Sequence, residues 1–490
     1  MRRGLTFRQM TVGLLFGAMA VFACLMPAQG DTFWHLRAGQ EIWRTLHVPL
    51  DEHYSYTAAG GYWPNHEWLW QAFGYGLYRV GGMRLFELGS AAIIIGACAI
   101  LYRLCVGSAA SRLVLFALSL PLATRAWALR PQLVSTLALA ILLWLLVHER
   151  HRWLPLLFVV WANAHGAVAM GIAVLAAVAG LAVLRARRGD ARDRRRARAL
   201  VVLTPLCALA TLLTPLGFGL WRYVGTSMAL SHENGIREWQ PTWPDGPFGI
   251  IFWALAVAFL GLLFWRRNRL RQLSQMPRMS WMSWMSWGDL VLLTASLVML
   301  VLAARAVRNT CVFLLIAVPA ASRLLGADFR FRKSVGRSEA ETPDHPRVNL
   351  ALLVGISALE AAGVLLAWHV SYDGLGWQPI SAGALAAVRT CPERVFGRYN
   401  DGGPLLWFVP ERRVFSDTRQ DPYPLAITRE TSSIEHGGPY QETFARYGVH
   451  CAILPLKSPA TERLTGDGWK LTYSDGTWVV LTEGGLPSPS

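Results

Sequence analysis

Apolar and polar blocks alternate along the whole chain. Met1 to Gln9 is short and basic, and Met10 to Pro27 is apolar and long enough to cross a bilayer at 1.5 Å per residue. Further apolar runs predict spans at roughly 85 to 102, 112 to 126, 131 to 147, 199 to 213, 248 to 265, 288 to 304, 310 to 325 and 349 to 368. Residues 153 to 184 are too long for one helix and are interrupted by Asn163, His165 and Gly166. They read as two helices meeting at a polar turn, which brings the expected total to about eleven spans. A secretory signal peptide is the rival reading of the first run, but Ala-Gln-Gly before Asp31 is a poor cleavage site.

The polar blocks between these runs divide into two sets by their side of the membrane. Residues 185 to 198 hold eight arginines and are expected on the cytoplasmic side, as is the polar linker 326 to 348. By alternation, residues 29 to 84, the turn Thr124 to Gln132 and the stretch 218 to 247 face outward, as do Arg305 and Arg308. The 218 to 247 stretch, rich in Trp, His and Glu, is either an interfacial amphipathic helix or a gating loop. Three repeats of Met-Ser-Trp between Met279 and Trp287 suggest interfacial anchoring.

From residue 370 to 490 hydropathy falls and a soluble α/β domain of about 120 residues is expected outside the membrane. Strand-like runs lie at Arg394 to Tyr399, Arg413 to Ser416 and Cys451 to Leu454, and Trp469 to Thr482 reads as a hairpin turning at Ser474-Asp475-Gly476. Phe415 to Arg419 with Asp421, Pro422 and Tyr423 is its most chemically loaded strand end, read first as a turn with Asp–Arg pairing and second as a binding site.

Composition agrees with a polytopic α-helical membrane protein: 53% of residues are hydrophobic and only 16% charged. The formal charge of +16 sits in short arginine clusters between apolar runs. That is the positive-inside pattern rather than a nucleic-acid surface, so no nucleic-acid partner is expected. Seven cysteines show no CxxC spacing and give no zinc or redox motif. Cys391 and Cys451 fall in the polar C-terminal region, where a disulfide can form. The C-terminal region has no G-x-G-x-x-G or P-loop pattern, so a nucleotide-sugar or ATP donor gains no support.

Asp31 and Glu67 bracket the first external loop at the mouths of two spans, where a carboxylate is costly to hold without a partner or a task. The alternative for Asp31 is to cap a short helix starting at Thr32. Arg125, Arg130, Arg305 and Arg308 lie on the same outer face, against the positive-inside bias, and arginine is well shaped to fork onto phosphate.

The loop motif of Asp31, Trp34, His35, Leu36, Arg37, Gly39 and Ile42, followed by Pro49, Asp51, Gly61, Trp63 and His66-Glu67-Trp68-Leu69, resembles the first external loop of GT-C glycosyltransferases. That superfamily includes protein O-mannosyltransferases and the lipid A aminoarabinose transferase. Arg130-Pro131-Gln132, Trp161 to Gly166 with Asn163 and His165, Glu238-Trp239-Gln240 and Arg308-Asn309 resemble further marks of an uncharacterised bacterial branch.

The resemblance implies a GT-C-like transmembrane domain over residues 1 to 369, carrying the loop 29 to 84, followed by the external domain 370 to 490. It also implies sugar transfer from a polyprenyl-phosphate donor to a lipid, glycan or protein acceptor at the inner membrane of a bacterium. Asp31 is then the expected base, with Glu67 orienting the acceptor or sharing a divalent cation. Arg125, Arg130, Arg305 and Arg308 are the expected phosphate ligands, and Trp34, His35, His66, Asn163, His165, Glu238 and Trp239 the expected substrate contacts. A transporter or flippase of anionic lipid is the rival class, but no inverted repeat is visible. A scaffold that has lost activity is a further rival, and the presence of both carboxylates argues against it.

Overall fold

The computed structural model describes residues 4–107, 109–187, 189–233, 237–273, 285–335, 345–370 and 374–484. The Met-Ser-Trp repeats between Met279 and Trp284 lie outside them, as does most of the predicted linker.

Helices form where the apolar runs predict them. Along the first third come α1 (Phe7–Ala23), α2 (Gly30–Thr45), α3 (Trp68–Leu104) and α4 (Ala109–Ala123). The middle holds α5 (Gln132–Val147), α6 (Leu154–Ala164), α7 (Val168–Ala186), α8 (Ala191–Ala210) and α9 (Gly219–Glu233). The membrane part closes with α10 (Pro247–Leu273), α11 (Trp287–Arg305), α12 (Thr310–Val335) and α13 (Pro346–Val370).

Among the described residues, six helices are long and apolar enough to cross a membrane: Trp68–Leu104, Val168–Ala186, Pro247–Asn268, Trp287–Arg305, Val307–Leu325 and Pro346–His369. Phe7–Ala23 and Gln132–Val147 are apolar but shorter. In α13 only 6% of the apolar window is buried within the chain, which leaves most of its surface to lipid.

Local chemistry fixes several boundaries. Thr6 accepts from the Gln9 amide while the Gln9 side chain accepts from the Thr6 N–H, a reciprocal cap at the start of α1. The predicted break in the 153 to 184 run falls at His165, whose extended backbone separates α6 from α7. Gly81 and Gly82 interrupt α3, and Gly82 takes a left-handed φ of 62° that suits a residue without Cβ. Residues 68 to 80 are thereby set off from the membrane span that follows.

The C-terminal part contains α14 (Ala382–Arg389), β1 (Arg394–Val395), α15 (Tyr399–Phe408), β2 (Arg413–Val414) and α16 (Leu425–Glu435). It continues with α17 (Gln441–Tyr447), β3 (Cys451–Pro455), α18 (Pro459–Gly466), β4 (Lys470–Ser474) and β5 (Trp478–Thr482). β1 and β2 pair in parallel, while β3, β5 and β4 form an antiparallel sheet in that order. The expected hairpin is β4–β5. The strand expected at Arg394 to Tyr399 is shorter than the sequence suggests, because Arg398 pairs with Asp401 at 2.7 Å and the chain turns into α15. Cys391 and Cys451 are joined by a disulfide.

The first external loop is built into this C-terminal part. Ser55 bridges Val414 in parallel, with the Tyr56 N–H donating to the Val414 carbonyl at 3.2 Å and the Val414 N–H to that of Tyr54 at 3.3 Å. Trp34, Ala38, Tyr54 and Trp63 share one apolar core with Leu385, Val388, Leu405, Val414 and Val480. A buried ion cluster reinforces the seam. The fully buried Arg419 guanidinium bonds both Asp417 oxygens and both oxygens of Glu52, and the Tyr423 hydroxyl donates to Asp417. The expected Asp–Arg pairing is therefore present, extended by a loop carboxylate from 367 residues earlier.

Candidate functional site

A cavity of about 350 Å³ lies where the loop, the adjoining helix ends and the C-terminal part meet. Its polar wall carries Asp31, Trp34, His35, His66, Glu67, Arg130, His165, Glu238, Trp239, Arg305 and Arg308. The same lining includes the apolar Leu133, Met170, Ala173, Leu302, Val312 and Leu315 from the membrane helices.

Asp31 is presented by the first turn of α2. The helix begins at Gly30, with Gln29 in the cap position and its N–H donating to the Thr32 hydroxyl at 3.0 Å. The capping alternative for Asp31 is thus replaced by a carboxylate that sits inside the helix, one position beyond its first residue, where the axial dipole favours negative charge. One oxygen meets Arg130 Nη2 at 2.6 Å and the other accepts from Trp34 Nε1 at 3.3 Å. The motif residue Gly39 lies where α2 crosses α3: a Cβ there would stand 2.2 Å from the Gln71 carbonyl oxygen. Its role is close packing that fixes α2, and with it Asp31.

Opposite charges alternate across the cavity. Arg130 touches Asp31 and, at 3.5 Å, Glu238, and Glu238 reaches Arg308 at 3.6 Å. The Arg308 guanidinium lies 4.2 Å from the Trp239 ring centroid, a cation–π arrangement that uses its face and turns its N–H edges to anionic partners such as Glu238. Arg125 does not line the cavity; its guanidinium sits over Phe248 at 5.2 Å. Asn163 does not line it either, because its side chain is bonded to Trp68, Val159 and Leu213 and so ties α3, α6 and the segment after α8 together.

Glu67, immediately before α3, is ringed by three imidazoles. His66 Nε2 stands 3.4 Å from it, His165 Nε2 3.6 Å and His35 Nε2 3.7 Å. Burial alone would raise its pKa, but the charge and hydrogen bond of His66, then the fields of His35 and His165, hold the carboxyl well below its ordinary range.

The three histidines differ in state. His66 donates from Nδ1 to the Pro64 carbonyl at 3.0 Å; burial opposes its charging, but Glu67 overrides this and raises its pKa. Burial pushes His165 down to about 3 and His35 down to about 4, so both are neutral at pH 7. At His165, Ser135 Oγ accepts from Trp161 Nε1 at 2.7 Å and lies 2.7 Å from Nδ1. The ionised Glu67 carboxylate 3.6 Å from Nε2 favours the tautomer with its N–H there, and the Ser135 hydroxyl then donates to Nδ1. Among the described residues no three His, Cys, Asp or Glu side chains are disposed to hold a metal ion.

Residues beyond the expected set complete the cavity. Thr418, Arg419, Gln420 and Asp421 of the C-terminal part line it, and Thr418 Oγ1 accepts from Trp34 Nε1 at 3.2 Å. Gln420 takes a left-handed φ of 58°, a cost accepted where the surroundings dictate the turn. Asp421 is pushed up to about 7, chiefly by burial and secondarily by the Glu67 charge, against the opposing field of His66. Tyr223 of α9 hydrogen-bonds Asp421 and stacks on His66 with centroids 4.1 Å apart. The signal for this wall was present in the sequence as the Asp-Thr-Arg-Gln-Asp strand end, but nothing local says which cavity it faces.

No protein-family model matches the chain, and no curated protein matches it. Solved structures do. The oligosaccharyltransferase AglB of Archaeoglobus fulgidus, in complex with an inhibitory peptide and a dolichol-phosphate, superposes with a TM-score of 0.52 at 11% identity, covering 91% of this chain and 69% of that one. The same enzyme tethered to an acceptor peptide gives 0.55 at 11% identity, again over 91% and 69%. ArnT of Cupriavidus metallidurans in the apo state gives 0.51 at 13% identity, covering 96% and 97%. The chain therefore has the fold of the GT-C membrane glycosyltransferases, as its first external loop led us to expect.

Proposed function

We propose that the protein is a multi-pass membrane glycosyltransferase that moves a sugar from a polyprenyl-phosphate carrier to an extracytoplasmic acceptor. The observation that carries this reading is one cavity lined both by carboxylates and arginines and by apolar side chains of the membrane helices. A lipid phosphate needs both: guanidiniums for the phosphate, and the Leu133, Leu302, Val312 and Leu315 side for the first isoprene units. The dolichol-phosphate held by the archaeal neighbour is a ligand of that class.

In this reading Asp31 accepts the proton of an acceptor hydroxyl as its oxygen bonds to the anomeric carbon. The bond from that carbon to the lipid phosphate breaks on the opposite face, so configuration inverts. Arg308 and Arg305, with Arg130, receive the charge left on the phosphate. Glu67, kept ionised by His66, orients the acceptor. The acceptor approaches past Thr418, Gln420 and Asp421, the wall that the C-terminal part supplies.

Orientation follows from the same reading. The Cys391–Cys451 disulfide suits an oxidising, extracytoplasmic compartment. The arginine-rich start of α8 suits the cytoplasmic side, and in this reading the N-terminus lies on that side too.

The test is mass spectrometry of lipid extracted from the purified protein. A polyprenyl-phosphate sugar is expected with wild type, and about a tenth as much with Arg308→Lys or Arg130→Lys, which keep the charge but lose the planar fork. Undiminished lipid in both variants overturns the phosphate assignment, and absence of any lipid-linked sugar from wild type overturns the donor class.

A further inference from the structure

A second cavity, of about 370 Å³, opens on the outside of the loop, lined by Arg37, Arg44 and Arg79 together with Trp43, Tyr75 and Glu41. None of its lining residues belongs to the first cavity. It lies between α2, the part of α3 that precedes the glycine break, and Pro410 of the C-terminal part.

Its charge is only partly neutralised from within, by Glu41 near Arg37. Glu41, the acid in its lining, is committed to His53 at 2.9 Å and to the Tyr54 hydroxyl at 2.6 Å. Neither Arg44 nor Arg79 forms an ion pair among the described residues. Two of the guanidiniums are nevertheless held in place. Arg37 donates to Gln40 at 2.7 Å and lies over the Tyr54 ring, and Arg79 lies 5.6 Å from the Trp43 ring centroid. Trp43 is itself anchored by its Nε1–H on the Ala72 carbonyl at 2.8 Å. With Glu41 as the one acid among three arginines, the lining carries excess positive charge, and an anion in the cavity relieves the repulsion between the guanidiniums.

Position along the chain sets the depth. Arg79 is three residues before Gly82, beyond which α3 enters its apolar span. Trp43 and Tyr75 are the residue types that sit at the headgroup level of a bilayer. Leu46, two residues after the lining residue Arg44, is 86% exposed, and Val80, next to the lining residue Arg79, is 80% exposed; acyl chains would cover these apolar side chains. A soluble phosphate makes use of the arginines but not of this apolar rim.

We propose that this cavity binds the phosphate of an anionic phospholipid of the outer leaflet, with Arg44 and Arg79 on the phosphate and Leu46 and Val80 against the chains. The site anchors the loop that carries Asp31 and Glu67 at a fixed height above the bilayer. It rests on the orientation read above but not on the reaction, since its ligand is a bulk lipid and its residues are outside the first cavity.

The experiment uses the full-length protein reconstituted in vesicles of phosphatidylcholine with one fifth phosphatidylglycerol. Lipids retained on gentle delipidation are counted by native mass spectrometry. Wild type is expected to retain phosphatidylglycerol selectively. Each juxtamembrane arginine is worth about fivefold in attraction to anionic lipid, so Arg44→Gln/Arg79→Gln is expected to lower retention on the order of twentyfold. Both residues are exposed, and unchanged thermal unfolding reports that the fold is kept. Lys457→Gln/Lys470→Gln removes the same charge from the exposed surface of the C-terminal part, away from the membrane helices, and is expected to leave retention as in wild type. Equal loss in the two double variants, or no selectivity in wild type, overturns the proposal. So does displacement of the retained lipid by millimolar inorganic phosphate, which identifies a site for the free anion.

Discussion

Asp31→Asn separates chemistry from scaffolding at the centre of the proposed site. The substitution keeps the shape of the side chain and an oxygen for the Trp34 indole N–H, and it removes one charge facing Arg130 at 2.6 Å. A charge-assisted hydrogen bond is worth about 1.5–3 kcal/mol net. Here both partners keep contact with solvent, at 13% and 22% exposed, so a structural loss of about 1 kcal/mol is expected. Arg130 retains Glu238 as a partner, which limits rearrangement. Removing a general base costs a factor on the order of a hundred to ten thousand in turnover, or about 3–5 kcal/mol of barrier. The catalytic effect therefore exceeds the structural one. Capping supplies no competing explanation, because Gln29 and Thr32 occupy that role. The assay is single-turnover transfer by purified, reconstituted protein carrying its own lipid donor, with donor retention measured on the same samples. The expected outcome is a drop in rate of at least a hundredfold with retention within about threefold of wild type. A rate within about twofold of wild type refutes the base assignment. A loss of donor retention that matches Arg130→Lys, with turnover of the bound donor unchanged, makes Asp31 a positioning residue for Arg130 instead.

Three further outcomes follow from the structure. Arg419→Gln strands Glu52 and Asp417 without their cation, so a loss of about 3–5 kcal/mol is expected in denaturant unfolding; wild-type stability would show that the seam does not depend on this cluster. Asp421, with a folded pKa of about 7 above its ordinary value of 3.8, contributes stability that is full at low pH and lost as pH rises from about 4 to 7. Thermal unfolding of Asp421→Asn relative to wild type across that range should therefore show the wild-type advantage shrinking with pH, and a constant difference contradicts the burial of that carboxyl. An impermeant thiol label added to spheroplasts should reach Cys391 and Cys451 only after an impermeant reductant has opened their disulfide; labelling that requires membrane permeabilisation reverses the topology.

Much of the membrane part was legible in the sequence, because a span is a local property: some twenty apolar residues in a row need no tertiary information. The break at His165 and the hairpin Lys470 to Thr482 were legible for the same reason, since each is written in neighbouring residues. Carboxylates at the mouths of spans singled out Asp31 and Glu67, arginines expected against the positive-inside bias singled out Arg130, Arg305 and Arg308, and these do share one cavity. The arginine signal also brought in Arg125, and the Trp161 to Gly166 motif brought in Asn163, two residues whose partners are an aromatic ring and the ends of three segments. Sequence position says which face of the membrane a residue reaches, but not which way its side chain turns there. The ring of three histidines around Glu67 draws on His35, His66 and His165, and the Asp417 to Asp421 turn enters the cavity from the far end of the chain. Only tertiary structure decided those meetings, because they depend on close packing between distant elements: Gly39 on Gln71, Gly403 on Gly30, Ser55 beside Val414. Helix formation is set by short-range chemistry and membrane insertion by the apolar length of a segment, whereas a site is set by which surfaces fit one another once both are in place.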